Sequence, residues 1–161
     1  MKKLIFTILA FFTAFNAFSQ SADFIEKMLS TSQATYTNAC YISAVTQGLA
    51  SENSTFEDAF NALYENGQIS KNINKETELT YEKAAELFAK MWHIKGGLMF
   101  KITKGSARYA FKQMKSDGII NQEQNPSATL SGTELLNFYT KGTNFYFPED
   151  LSSDFTSKIE D

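Results

Sequence analysis

A block of this chain recurs 51 positions downstream, and that repeat restricts the fold more than anything else in the sequence. Thr55-Phe-Glu-Asp-Ala59-Phe60-Asn-Ala-Leu63-Tyr-Glu-Asn66-Gly67-Gln-Ile69 returns as Ser106-Ala-Arg-Tyr-Ala110-Phe111-Lys-Gln-Met114-Lys-Ser-Asp117-Gly118-Ile-Ile120. The same interval then leads from each glycine to a Leu-hydroxyl pair, Leu79-Thr80 and Leu130-Ser131, and on to a second apolar-periodic segment. Self-similarity at a fixed period marks stacked supersecondary units, each burying its apolar face against its neighbours.

Both units read as helix, loop, helix. Thr55 is placed to cap the first helix, and Glu57 and Asp58 put negative charge in its opening turn, where the dipole favours it. Ala59, Phe60 and Leu63 form its apolar stripe, and Asn66-Gly67 supplies a left-handed terminus. Ile69 and Ile73 are expected to plug back into the core from the polar loop. Thr80 opens the partner helix, whose apolar set is Ala84, Ala85, Leu87, Phe88 and Met91. In the second unit Ser106 takes the cap position, Ala110, Phe111 and Met114 the stripe, and Asp117-Gly118 the stop. Asn125-Pro126 turns the loop, and Ser131-Gly-Thr-Glu134 is a capping box. The helix it opens spans Thr133 to Thr140 and should end at Lys141-Gly142. Ahead of both units, Cys40, Tyr41, Ala44, Val45 and Leu49 predict a helix from Asn38 to Ala50, capped by Thr37 or Asn38. Leu98 to Ile102 reads as a stray strand or an apolar loop.

These signals predict an all-α fold of tandem helix-loop-helix repeats, 55–90 and 106–141, within one helical domain over 37–142. A polar lead over 20–36 precedes it, in which Phe24, Ile25, Met28 and Leu29 suit a short docked helix. An acidic tail over 143–161 follows. Residues 1–19 have the marks of a signal peptide: Lys2-Lys3, an apolar run from Leu4 to Phe15 too short to span a bilayer, and Ala17-Phe18-Ser19 before cleavage at Gln20. The expectation is a periplasmic or secreted protein with no transmembrane segment after cleavage. Without Lys2 and Lys3 the chain carries 13 basic against 18 acidic residues, a net charge of −5. That balance argues against nucleic acid or an anionic membrane surface as partner, since both need a concentrated basic face. A lone cysteine excludes an intramolecular disulfide, so packing of the many Phe and Tyr must supply stability.

Helix, Gly-Ile-Ile-type turn, polar loop with a proline, and Leu-Thr/Ser opening a second helix together resemble the S-layer homology domain. Leu79-Thr80-Tyr81 through Gly96-Gly97-Leu98-Met99-Phe100, then Arg108-Tyr109-Ala110-Phe111, Gly118-Ile119-Ile120 and Ser131-Gly132-x-Glu134-Leu135-Leu136 are similar to an S-layer-homology-like module of spirochaetal exported envelope proteins. The likeness covers roughly Thr37 to Lys141. It implies an envelope protein or a cell-wall glycan as partner. The family's Ile-Thr-Arg-Ala-Glu stretch, whose Arg contacts anionic sugar, reads here Leu79-Thr80-Tyr81-Glu82-Lys83 and Leu130-Ser131-Gly132-Thr133-Glu134. Both lack the guanidinium that clamps a carboxylate or pyruvyl group.

Cys40 and His93, the single cysteine and histidine, are the pair a small cysteine-dependent hydrolase would need. Against that, Cys40 falls on the apolar stripe of its helix, where free cysteine is commonly buried. One His and one Cys make no zinc site, no spaced acidic calcium loop occurs, and no phosphate-cradling glycine loop is present; no metal or cofactor is expected. Arg108 breaks a local rule, since positive charge in a first helical turn opposes the dipole. It is either paired with Glu82 or Glu86 or held for a ligand. The binding surface predicted from these residues is Trp92, Gly96, Gly97, Arg108 and Tyr109: a flat ring, close backbone approach, and a fixed charge at a helix N-terminus suited to a carboxylate. The functional expectation is a non-catalytic exported module, with the hydrolase and a purely structural assembly protein as the alternatives.

Overall fold

The computed structural model describes residues 24–70 and 72–147. The expected leader over 1–19 and the tail beyond 147 lie outside the described residues. Seven helices occur among those described: α1 over 24–30, α2 Tyr36–Thr46, α3 Phe56–Glu65, α4 Tyr81–Met91, α5 Leu98–Ile102, α6 Ala107–Ser116 and α7 Gly132–Tyr146. There is no strand among them, only two isolated bridges, Thr35 with Glu78 and Thr80 with Thr129. The all-α expectation holds.

Local chemistry sets most of the boundaries. Thr55 and Asp58 cap α3 reciprocally, the Asp58 amide donating to Thr55 Oγ1 at 3.1 Å and the Thr55 amide to the Asp58 carboxylate at 3.1 Å. Ser131 and Glu134 do the same for α7, at 3.2 and 2.7 Å. At the other ends, Gly67 and Gly118 adopt φ of 68° and 77°. This lets the Gln68 and Ile119 amides reach back five residues to the Leu63 and Met114 carbonyls at 3.0 Å each, the closure that left-handed terminal residues permit. Phe60 and Phe111 are both buried, each with a lysine ammonium about 5 Å above its ring, Lys75 and Lys115.

The centre of the molecule is a closed ring of three backbone hydrogen bonds. Ala34 N–H donates to Leu130 C=O at 2.7 Å, Leu130 N–H to Leu79 C=O at 3.0 Å, and Leu79 N–H to Ala34 C=O at 2.8 Å. All three side chains are buried in one continuous core. A helix leaves each corner: α2 after Thr35, α4 after Thr80, α7 after Ser131. Its first amides are then taken by the next segment's carbonyls. Tyr36 and Thr37 donate to Thr77 and Lys75, Tyr81 and Glu82 to Ala128 and Pro126, and Gly132 to Thr31. Orphan donors at three helix starts are thereby satisfied by backbone rather than by solvent. α3 packs on α2, α6 on α4, and α2 on α4.

Several expectations are corrected. The short docked helix expected within 20–36 is present as α1, with Met28 buried, and the backbone ring adds Ala34 from the same segment to the core. α2 begins two residues earlier than predicted and is capped by Thr35, whose amide donates to Asn38 Oδ1 at 2.8 Å. It ends before Gly48, at φ 67°. Leu98–Ile102 is a helix rather than a strand or loop. Ser106 stands at the cap of α6, but its side chain accepts no capping bond. Gly142 does not stop α7, which continues to Tyr146; glycine is required there because a Cβ would overlap the Trp92 ring.

Candidate functional site

The predicted segment, Gly96 to Tyr109, comprises α5, its flanking turns and the first turn of α6, and one aromatic residue fastens it. Phe100 lies between Gly96 and Gly105, and a Cβ at either glycine would overlap its ring. The close approach that Gly96 permits is therefore used by Phe100, not by a ligand. Gly97 N–H donates to Gln113 Oε1 at 3.2 Å, and Gln113 Nε2 to Asp117 at 2.9 Å. Asp117 also accepts from Tyr146 at 2.6 Å. Burial foremost, then the Asp117 carboxylate, pushes the Tyr146 hydroxyl well above its ordinary range. α5 is thus tied through α6 to the end of α7.

With Phe100 turned inward, the rest of α5 faces solvent. Leu98 is 74 % exposed, Ile102 64 % and Met99 47 %. Lys95, Lys101, Lys104, Arg108 and Lys112 are exposed along the same stretch. Among the described residues none of the five enters an ion pair. Lys112 stands over the half-buried Tyr109 ring at 5.7 Å. Tyr109 and Lys112 flank Leu98 and Met99 around a shallow apolar depression of about 310 Å³. From Leu87 to Ser116 the sequence has no Asp or Glu, yet it holds seven of the chain's 15 basic residues.

Arg108 is not the internal salt-bridge residue weighed from the sequence: Glu86 pairs with Lys90 at 3.2 Å, and no bond joins Arg108 to Glu82. Trp92 was expected to offer a flat apolar face, and here the structure disagrees. It is 4 % exposed and packs on Phe88, Phe138 and Tyr146 at centroid distances of 5.1, 6.3 and 5.4 Å. A large aromatic at the end of an amphipathic helix is drawn to the core by the area it buries. Gly97 remains exposed at the start of α5. Sequence reasoning missed Lys95, Lys101, Lys104 and Lys112 and the apolar tip; the acid-free run of 30 residues was the available signal.

Cys40 and His93 are not assembled as a catalytic pair. Cys40 is fully buried, and burial pushes its thiol up to about 12. A nucleophilic cysteine needs the opposite shift. His93 is exposed at the end of α4, in the left-handed conformation with φ 49°. It lies between two open grooves of about 440 and 600 Å³ that share Asn66 and Gln68. Trp92 Nε1 and Thr143 Oγ1, both from residues lining the smaller groove, are buried without a partner among the described residues. No three His, Cys, Asp or Glu gather as metal ligands among those residues. Nor does any described helix have the length and apolarity to cross a membrane.

The starts of α4 and α7, where S-layer homology repeats would hold sugar, have their leading amides occupied by backbone carbonyls. Neither start presents a free set of donors to an anion. Comparison with protein-family models, with curated proteins and with solved structures gives no match.

Proposed function

We propose that this protein is a non-catalytic, exported module of the cell envelope that binds an anionic component of that envelope through the Gly96–Tyr109 segment. The observation that carries the reading is the set of five exposed basic side chains, Arg108 among them, none of which enters an ion pair among the described residues. In a chain whose acids outnumber its bases, self-neutralisation of surface cations is easy to achieve. Five exposed cations within 18 residues, none in an ion pair among the described residues, raise the local positive potential and the encounter rate with anions. The resemblance to S-layer-homology-like modules supplies the envelope setting, with a cell-wall glycan or an envelope protein as the partner it implies. The hydrolase alternative is weakened by the buried, strongly up-shifted Cys40 thiol.

The test is capture of the exported protein by envelope fractions, with purified peptidoglycan sacculi tested separately. Arg108→Ala should leave the melting temperature unchanged within error and weaken capture by about 1–3 kcal/mol, the range for a hydrogen bond to a charged group. A large loss of stability without a specific loss of capture overturns the reading. So does rapid native-state alkylation of Cys40 that depends on His93.

A further inference from the structure

We propose that this segment docks on an anionic lipid bilayer, Leu98, Met99 and Ile102 entering the headgroup boundary while Lys95, Lys101, Lys104, Arg108 and Lys112 engage lipid phosphates. This names the partner of the surface just described and rests on that surface being the one that binds. Two independent features meet here, and each is only half explained by another partner. A soluble polyanion, such as an acidic peptide, accounts for the five exposed cations but not for three apolar side chains held out in water. A hydrophobic protein groove accounts for the apolar tip but leaves the cations without anions. A lipid interface takes both, because amphipathic elements of this kind lie in the boundary plane with apolar side chains roughly 5–10 Å deep and basic ones at the headgroups. Each Lys or Arg near such a surface strengthens partitioning about fivefold.

The geometry favours insertion at little entropic cost. Phe100, seated between Gly96 and Gly105, and the Gly97–Gln113 bond hold α5 in place before any partner arrives, so less ordering is needed on binding. The whole-chain charge of −3 conceals this face, since the acids lie elsewhere in the sequence. Of the other exposed apolar side chains, Ile25 and Leu29 on α1 have Glu26 between them, and Phe145 and Phe147 close α7, outside the acid-free run.

The experiment uses the chain recovered after export and sediments it with vesicles of equal parts phosphatidylglycerol and phosphatidylcholine, or of phosphatidylcholine alone. Binding is expected to the anionic vesicles only and to weaken as salt rises. Lys101→Glu with Lys104→Glu should lower partitioning at least about tenfold, and Leu98→Ser with Ile102→Ser should also lower it, all with unchanged melting. Because Cys40 is buried, Met99→Cys is labelled selectively with a polarity-sensitive dye, and its emission should shift to the blue on anionic vesicles. Equal binding to both vesicle types, dye emission unchanged on binding, or polyglutamate binding that matches the vesicles would overturn the lipid assignment. No vesicle binding together with Arg108-dependent capture by sacculi removes the lipid and keeps the binding surface. Loss of both removes both.

Discussion

His93 shows how a single residue carries a backbone requirement against its own preference. α4 closes as the other helices do, with Ile94 N–H reaching the Ala89 carbonyl at 3.0 Å, and the residue between must take a left-handed conformation. Glycine does this at Gly48, Gly67 and Gly118; here it is a histidine at φ 49°. Left-handed backbone costs an L-residue roughly 1–2 kcal/mol and glycine almost nothing. His93→Gly is therefore expected to stabilise the protein by about 1 kcal/mol, less the greater unfolded-state entropy of glycine, read as a raised urea midpoint at unchanged m-value. A lowered midpoint would show that the imidazole makes compensating contacts in the grooves on either side of it. The position was legible as a helix end, but not as a strained one. Nothing in Met91-Trp92-His93 advertises a missing glycine.

At the scale of elements, the sequence was most readable where a cap or stop is chemically self-contained. Thr55 with Asp58, Ser131 with Glu134, and the Gly67 and Gly118 termini act within a few residues, so their patterns survive in one dimension. α5 was obscure because its formation depends on Phe100 finding a slot between two glycines. Gly142 was misread for a related reason: a glycine required by close approach looks the same as one required by a turn. This gives an expectation opposite to helix propensity. In an exposed helix interior Gly→Ala gains about 1 kcal/mol, whereas in α7 a Cβ at position 142 would overlap the buried Trp92 ring. Gly142→Ala should cost about 1–3 kcal/mol, the usual range for overpacking. Trp92→Phe in the same chain should recover part of that loss beyond additivity, and a double-mutant cycle by urea unfolding measures it. Strict additivity would mean that the two residues do not press on each other.

The whole molecule is organised around the ring joining Ala34, Leu79 and Leu130, of which the sequence disclosed two corners. The third escaped because α1 is joined to Ala34 by only a few residues, without the long loop that sets the interval in 55–90 and 106–141. The candidate site escaped in part for a parallel reason: net charge is a sum over the chain, while binding depends on where charges stand. Burial around the ring also fixes how the protein responds to pH. Burial raises the Cys40 thiol from 9.0 to about 12, and burial together with Glu134 raises Tyr81 from 10.0 to about 12. Tyr36 and Tyr146 are displaced in the same direction. Each folded-state group keeps its proton longer than its unfolded counterpart, so the stability it contributes is complete below the unfolded value and declines as pH rises beyond it. Asp58 and Glu134 move the other way, held down by bonds from Thr55 and Ser131, so their contribution fades as pH falls through the carboxylate range. The urea midpoint should accordingly be level across neutral pH and begin to fall near pH 9, where the unfolded thiol is the first of the raised groups to ionise. Cys40→Ala should delay that fall to about pH 10, the ordinary tyrosine range, even though it lowers the midpoint overall by leaving a small void. A midpoint that stays flat through pH 10 in the parent chain would mean that Cys40 ionises as freely folded as unfolded, which its place in the core forbids.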